Sequence, residues 1–346
     1  MAASAKIAVW GAGAIGGTVG AHLVRAGLEV LFIDRVADHV AAIRQDGLAI
    51  TGPIVEFRAK ANAVTPAELQ GPLEHVLLCV KAQDTRAAAE QIRPHLAADG
   101  YVVSLQNGLN ELAIAQTVGV ARTIGAFINF GADYMEPGVV HYGGRGTVVV
   151  GEIDGTIKPR TEELHALLLQ FDDRAKLTTN VWGFLWSKLA YGALLFATAL
   201  TNESIADCFA MPRYRSIFIE LAREVAAVAL ADGVKLEPFD GFDPRAFMAG
   251  ATLAQAMRSI DDLVAFNRRS AKTHSGIWRD LAVRKRRTEG DAQLGQIVRV
   301  AAERGVGAPI TTRLLALIKS IEDGQAAMGT ALLDALADTL PSAAAS

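Results

Sequence analysis

Three glycines at positions 11, 13 and 16, with an aspartate at 34, are the residues of this 346-residue chain whose spacing points most directly to chemistry. They lie in KIAVWGAGAIGGTVGAHLVRAGLEVLFID, residues 6–34. Gly11-Ala12-Gly13-Ala14-Ile15-Gly16 follows the apolar run Ile7–Trp10 directly and leads into a helical pattern. In such a strand–turn–helix, the first glycine makes the tight turn and the second lets a pyrophosphate approach the bare backbone. The third lets the helix pack on the strand. N–H groups at the helix start then face the phosphates. Asp34 ends the next apolar run, eighteen positions beyond Gly16, close to the roughly 20 expected of the carboxylate that binds the adenosine ribose. The set predicts a dinucleotide site built on Gly11–Gly16 and Asp34, with Arg35 beside them.

Further polar residues stand where apolar patterns end. Lys81 follows Val80, and Asn107 stands between Gln106 and Gly108. In a doubly wound sheet the carboxyl ends of the strands open onto the coenzyme crevice. There Lys81 can meet a coenzyme phosphate or ribose or a substrate carboxylate, or simply leave the core for water. Asn107 can hold the nicotinamide ribose or a substrate carboxylate, or make an ordinary Asn-Gly turn. Lys188, in Trp186-Ser187-Lys188-Leu189, is embedded in a strongly apolar helical pattern. A lysine placed this way either snorkels outward or faces a cavity. Arg284–Arg287 supplies four consecutive cations just before Glu289. They read as a solvated basic helix terminus, with Glu289 available to pair with one of them.

The elements that must position these groups follow a regular order. Apolar runs at Val30–Ile33, Val76–Val80, Tyr101–Leu105 and Thr123–Phe127 are interleaved with helical patterns such as Thr85–Leu96 and Leu109–Val118. That order predicts an α/β fold, a Rossmann-type doubly wound sheet covered on both faces. Gly47–Ala61 reads as a small hairpin. Val139–Ile153, two β-rich runs joined by Gly-Gly-Arg-Gly, reads as a second hairpin closing the far edge of the sheet. Beyond about residue 155 no strand is expected. Helical periodicity runs through Lys158–Phe171, Trp182–Thr201, Tyr214–Asp232, Arg245–Phe266, Asp291–Arg304 and Thr311–Asp323. The expected domains are therefore 1–177, a nucleotide-binding unit, and 178–340, an all-helical unit for substrate and catalysis, with a disordered tail at 341–346.

A net charge of −3 gives no sign of a nucleic-acid or anionic-membrane partner. Cys79 and Cys208 lack zinc or disulfide spacing, so no metal is expected, and Cys79 reads as a small buried hydrophobe. No stretch of 18 consecutive apolar residues occurs, so no membrane span is expected. The default expectation is a soluble, cytoplasmic protein.

Taken in order, GAGAIG at 11–16, Val80-Lys81-Ala82, Gln106-Asn107-Gly108 and Gly138-Val139-Val140-His141-Tyr142-Gly143 resemble the ketopantoate reductase (2-dehydropantoate 2-reductase) family. The likeness continues through Trp186-Ser187-Lys188-Leu189 and Arg287-Thr288-Glu289 to Gly305-Val306 and Pro309. It covers nearly the whole chain. The resemblance implies a dinucleotide domain and a helical domain with the active site between them, and NAD(P)H-dependent reduction of a 2-oxo acid to a (D/R)-2-hydroxy acid. It makes Lys188 the catalytic lysine and Glu289 the active-site glutamate, and gives Lys81 and Asn107 contacts with cofactor and substrate. Two family asparagines, four and eight positions after the lysine, are here Gly192 and Phe196. Ser275 is the nearest match to the family's carboxylate-contacting serine. These departures predict a more apolar substrate pocket and keep a D-mandelate-type dehydrogenase as an alternative. An opine- or polyol-type dehydrogenase and a non-catalytic NAD(H)-binding sensor are the other classes. Asp34 would repel a 2′-phosphate, an effect Arg35 partly offsets, so NAD(H) is expected over NADP(H). The expected partner is a small 2-oxo or 2-hydroxy acid, and apolar stripes on the C-terminal helices permit a homodimer.

Overall fold

The computed structural model describes residues 7–269 and 273–340. The tail expected at 341–346 lies outside the described residues. The chain divides into two units, Met1–Val181 and Trp182–Ser346.

Among the described residues the first unit holds twelve strands: β1 Ile7–Trp10, β2 Val30–Ile33, β3 Leu48–Thr51, β4 Phe57–Ala59, β5 Asn62–Val64, β6 Leu73–Leu78, β7 Leu96–Ser104, β8 Thr123–Ile128, β9 Gly131–Glu136, β10 Val139–Gly144, β11 Val148–Glu152 and β12 Lys176–Leu177. Its helices are α1 Ala14–Arg25, α2 Ala37–Asp46, α3 Thr85–Ile92, α4 Glu111–Val118 and α5 Pro159–Leu169. Eight strands form one sheet in the order β12-β11-β8-β7-β6-β1-β2-β5. From β8 to β5 every pairing is parallel, and β11 runs antiparallel to β8. Alternation along β1 separates two cores. Ile7 and Val9 join α1, α2 and α5 on one face, and Ala8 and Trp10 join α3 and α4 on the other. Burial on both faces is what a near-continuous apolar strand requires.

The second sheet, β4-β3-β10-β9, lies against α1. The close approach needs a glycine, since a Cβ at Gly17 would lie 3.0 Å from Val140 and 3.3 Å from Leu48. The expected hairpin in Gly47–Ala61 is β3–β4. The hairpin expected across Val139–Ile153 is not formed. β10 turns back on β9 and also pairs with β3, while β11 joins the large sheet beside β8. Gly143-Gly144-Arg145-Gly146 is thus a crossing between sheets. Arg145 anchors it on Asp172 and Asp173. The expectation of no strand beyond residue 155 also fails at β12, which adds two residues to the edge of the large sheet.

Helices account for the second unit. α6 Val181–Thr198 starts at the last residue of the first unit and continues into the second. There follow α7 Ile205–Ala210, α8 Arg215–Ala231, α9 Leu253–Arg269, α10 Gly276–Trp278, α11 Gly290–Arg304, α12 Pro309–Glu322 and α13 Thr330–Ala337. The pattern over Arg245–Phe266 breaks into a 3-10 turn at Pro244–Phe247 and α9, separated at Gly250 by a φ of +90°. Among the described residues, no helix is long and apolar enough to cross a membrane.

Candidate active site

Gly11 takes φ +97°, and a Cβ there would meet the backbone of Val80 at 2.9 Å. Gly16 packs directly on Val9 and Cys79. Gly13, the N-cap of α1, has open space where a side chain would stand. The three positions therefore meet the demands of turning, packing and leaving room for a phosphate. The first N–H groups of α1, from Ala14 onward, point into that space, as at any helix start.

The loop is held from two sides. Ala12 N–H donates to Asp34 Oδ2 at 2.8 Å, and Val36 N–H donates to Asp34 Oδ1 at 2.9 Å. On the other side, buried His39 accepts the Gly138 N–H at Nδ1 and donates from Nε2 to the Ala12 carbonyl, each at 2.9 Å. Arg35 extends into solvent and pairs with Asp84 at 3.3 Å. The fold thus brings Gly11, Ala12, Gly13, Ala14, Ile15, Gly16, Asp34 and Arg35 to one end of the large sheet.

Lys81 and Asn107 are both exposed, just past the carboxyl ends of adjacent β6 and β7. A buried polar chain ties their turns together. Gln106 Nε2 donates to the Val80 carbonyl and to Thr85 Oγ1, both at 2.8 Å, and Ser104 Oγ donates to Gln106 Oε1 at 3.3 Å. Thr85 Oγ1 donates to Asn110 Oδ1 at 3.2 Å, and Asn110 Nδ2 donates to the Asn107 carbonyl at 2.6 Å. Close by, Glu111 is fully buried at the start of α4, and neither of its carboxylate oxygens meets a donor among the described residues. Burial pushes its carboxyl up to about 8.

In the helical unit, Lys188 is half-buried on α6 among Leu185, Trp186, Leu189 and Ala190, all buried. Gly192 lies one turn further on the same face. Position 192 faces α11, because a Cβ there would lie 3.2 Å from Gln293 Oε1. Glu289 is the N-cap residue of α11, and the Gln293 N–H donates to its carbonyl at 3.0 Å. Lys188 and Glu289 therefore each stand one helical turn from this approach of α6 to α11. The approach to Glu289 is fixed by Glu322, whose Oε1 accepts both the N–H and the hydroxyl of Thr288 at 2.7 Å.

The remaining expectations fare differently. Phe196 is completely buried. Ser275 is buried too, and its hydroxyl accepts the Trp278 N–H at 3.1 Å as the cap of α10. The Arg284–Arg287 run begins at a helix terminus, Arg284 capping the π-helical turn Arg279–Val283, and continues as a loop with Lys285 at φ +50°. Arg284 and Arg286 converge on Asp280, and Arg287 pairs with Asp323 at 2.7 Å. Cys79 is half-buried rather than fully enclosed. Sequence reasoning passed over His39, Gln106, Glu111 and Gln293. A signal existed for Gln106 and Glu111, which flank the Asn107 turn. His39 and Gln293 gave none, since His39 reaches Ala12 and Gly138, 27 and 99 positions away, and Gln293 approaches Gly192 on a different helix.

A family model described as ketopantoate reductase PanE/ApbA matches residues 7–155, and its C-terminal counterpart matches residues 180–322. The chain belongs to the ketopantoate reductase family. Membership makes it an NAD(P)-dependent oxidoreductase acting on CH–OH groups. It is 30% identical over 325 residues to 2-dehydropantoate 2-reductase of Pyrococcus horikoshii, covering 92% of this chain and 97% of that protein. The PanE/ApbA family ketopantoate reductase of Ralstonia eutropha has the same fold, with a TM-score of 0.77 at 30% identity, covering 92% of this chain and 99% of that one. D-mandelate dehydrogenase, solved with NADH and anilino(oxo)acetate, shares the fold with a TM-score of 0.80 at 23% identity, over 92% of this chain and 99% of that one.

Proposed function

We propose that this ketopantoate reductase family member reduces a small 2-oxo acid to the (D/R)-2-hydroxy acid, using NADH in preference to NADPH, with Lys188 as the general acid. The observation that carries the reading is the setting of Lys188, an ammonium within an apolar helix one turn from the meeting of α6 with the Glu289-capped α11.

When bound, the reduced nicotinamide supplies a hydride to the α-carbon. Gly11, Gly13 and the first N–H groups of α1 would cradle its pyrophosphate, and Asp34 would accept hydrogen bonds from the adenosine ribose. The Asp34 carboxylate opposes a 2′-phosphate, and Arg35, the cation best placed to offset this, is already drawn to Asp84. Lys188 donates a hydrogen bond to the substrate carbonyl oxygen, stabilises the charge growing on it, and then delivers its proton. A lysine is ordinarily protonated at neutral pH, which suits the reductive direction. Glu289 holds the ammonium in place. Lys81 and Asn107 contact coenzyme and substrate from turns that the Gln106 network keeps rigid.

The test is a spectrophotometric panel of 2-oxo acids, including ketopantoate and an aryl glyoxylate, with NADH and NADPH. Substitution Lys188→Ala should lower kcat by about a thousandfold, within the range for a lost general acid, while NADH binding measured by fluorescence stays near wild type. Near-normal turnover in that variant rejects the assigned acid. A large NADPH preference rejects the coenzyme choice.

A further inference from the structure

We propose that Gln293 determines substrate specificity, with its amide, lodged in the space Gly192 leaves open, recognising a hydroxyl on the side chain of the 2-oxo acid. This rests on the reading of Lys188 as the acid.

Gly192 interrupts an 18-residue apolar helix, where glycine costs about 1 kcal/mol relative to alanine. No apolar side chain fills the vacant position. Its nearest neighbour is Gln293 Oε1, 3.2 Å from where a Cβ would stand. The Gln293 side chain is half-buried, and its amide makes no hydrogen bond with any described residue. A partly desolvated amide in that state favours a ligand that completes it. The chemistry selects which ligand. A carboxylate only accepts and would set its charge against Oε1, whereas a hydroxyl donates and accepts, as the amide does. Lys188 lies four residues back on α6, about 6 Å along the axis. A substrate whose 2-oxo group meets the Lys188 ammonium would extend its side chain along the same face of α6 toward position 192. The bare position 192 therefore does not make the pocket simply more apolar, because the polar group arrives from a different helix.

Two variants of the full-length enzyme test the assignment, with ketopantoate and its deoxy analogue, 3,3-dimethyl-2-oxobutanoate, as probes. Gln293→Leu keeps the side-chain size but removes both hydrogen-bonding atoms. It should lower kcat/KM for the hydroxyl-bearing acid about 10- to 100-fold, the scale of one lost buried hydrogen bond, and affect the deoxy acid far less. Gly192→Ala displaces the amide without touching Gln293 and should show the same selective loss in a fold that is no less stable. Equal losses for the two acids, or no loss for either, overturn the role of Gln293 alone. A wild-type enzyme that turns over neither acid overturns this role together with the reductase reading.

Discussion

Glu111 shows how much one residue can reveal beyond its type. Its carboxyl stays protonated in the folded chain up to about pH 8 but ionises near its ordinary value of 4.5 when unfolded. Between those values the native state binds more protons, so stability falls as pH rises from about 4.5 to about 8 and levels off above. Urea midpoints from about pH 5 to about pH 9 should show this slope, and Glu111→Gln should flatten it by removing the ionisable group. A wild-type slope unchanged in that variant would show that other groups cause it. Sequence could supply Gly11, Gly13, Gly16 and Asp34, because turn geometry and spacing are local properties. It could not supply the burial of Glu111, which depends on helix packing. The clasp of His39 on Gly138, spanning 99 positions, was equally out of reach.

At the scale of elements, helix ends depend on residues from neighbouring helices. Glu224 of α8 accepts the Ile310 and Thr311 N–H groups at 2.9 and 2.7 Å, closing the N-terminus of α12 behind Pro309. Glu224→Ala should destabilise the protein by about 1–3 kcal/mol through the donors left unsatisfied. Glu224→Gln, which keeps one acceptor, should lose less, and chemical denaturation measures both. A loss in Glu224→Ala no larger than an ordinary surface substitution would place the cap elsewhere. The buried parallel strands were legible because their apolar runs are short and bounded. The Val139–Ile153 segment was misread because two β-rich runs around glycines look alike whether they pair or part. Only the competing partners, β9 for one run and β8 for the other, decide it. α2 buries only His39, Val40 and Ile43, one of them polar, so its sequence carries little of an apolar stripe.

Over the whole molecule, the order of units was legible from the change in periodicity after the first sheet, and the two-residue β12 was too short to register. Coenzyme binding should be visible at this scale too. A ligand that binds only the folded state at a hundred times its Kd stabilises it by about 2.7 kcal/mol, so saturating NADH should raise the Tm. Asp34→Ala should abolish most of that rise, since it removes the proposed ribose acceptor and frees the Ala12 N–H it holds. An undiminished rise in the variant would remove Asp34 from the coenzyme site. The chain of hydrogen bonds through Gln106, Thr85 and Asn110 carries one more consequence. Neither the Lys81 turn nor the Asn107 turn can shift without dragging the other, so an incoming nucleotide would meet a mould already set, and little of its binding free energy would go to shaping it.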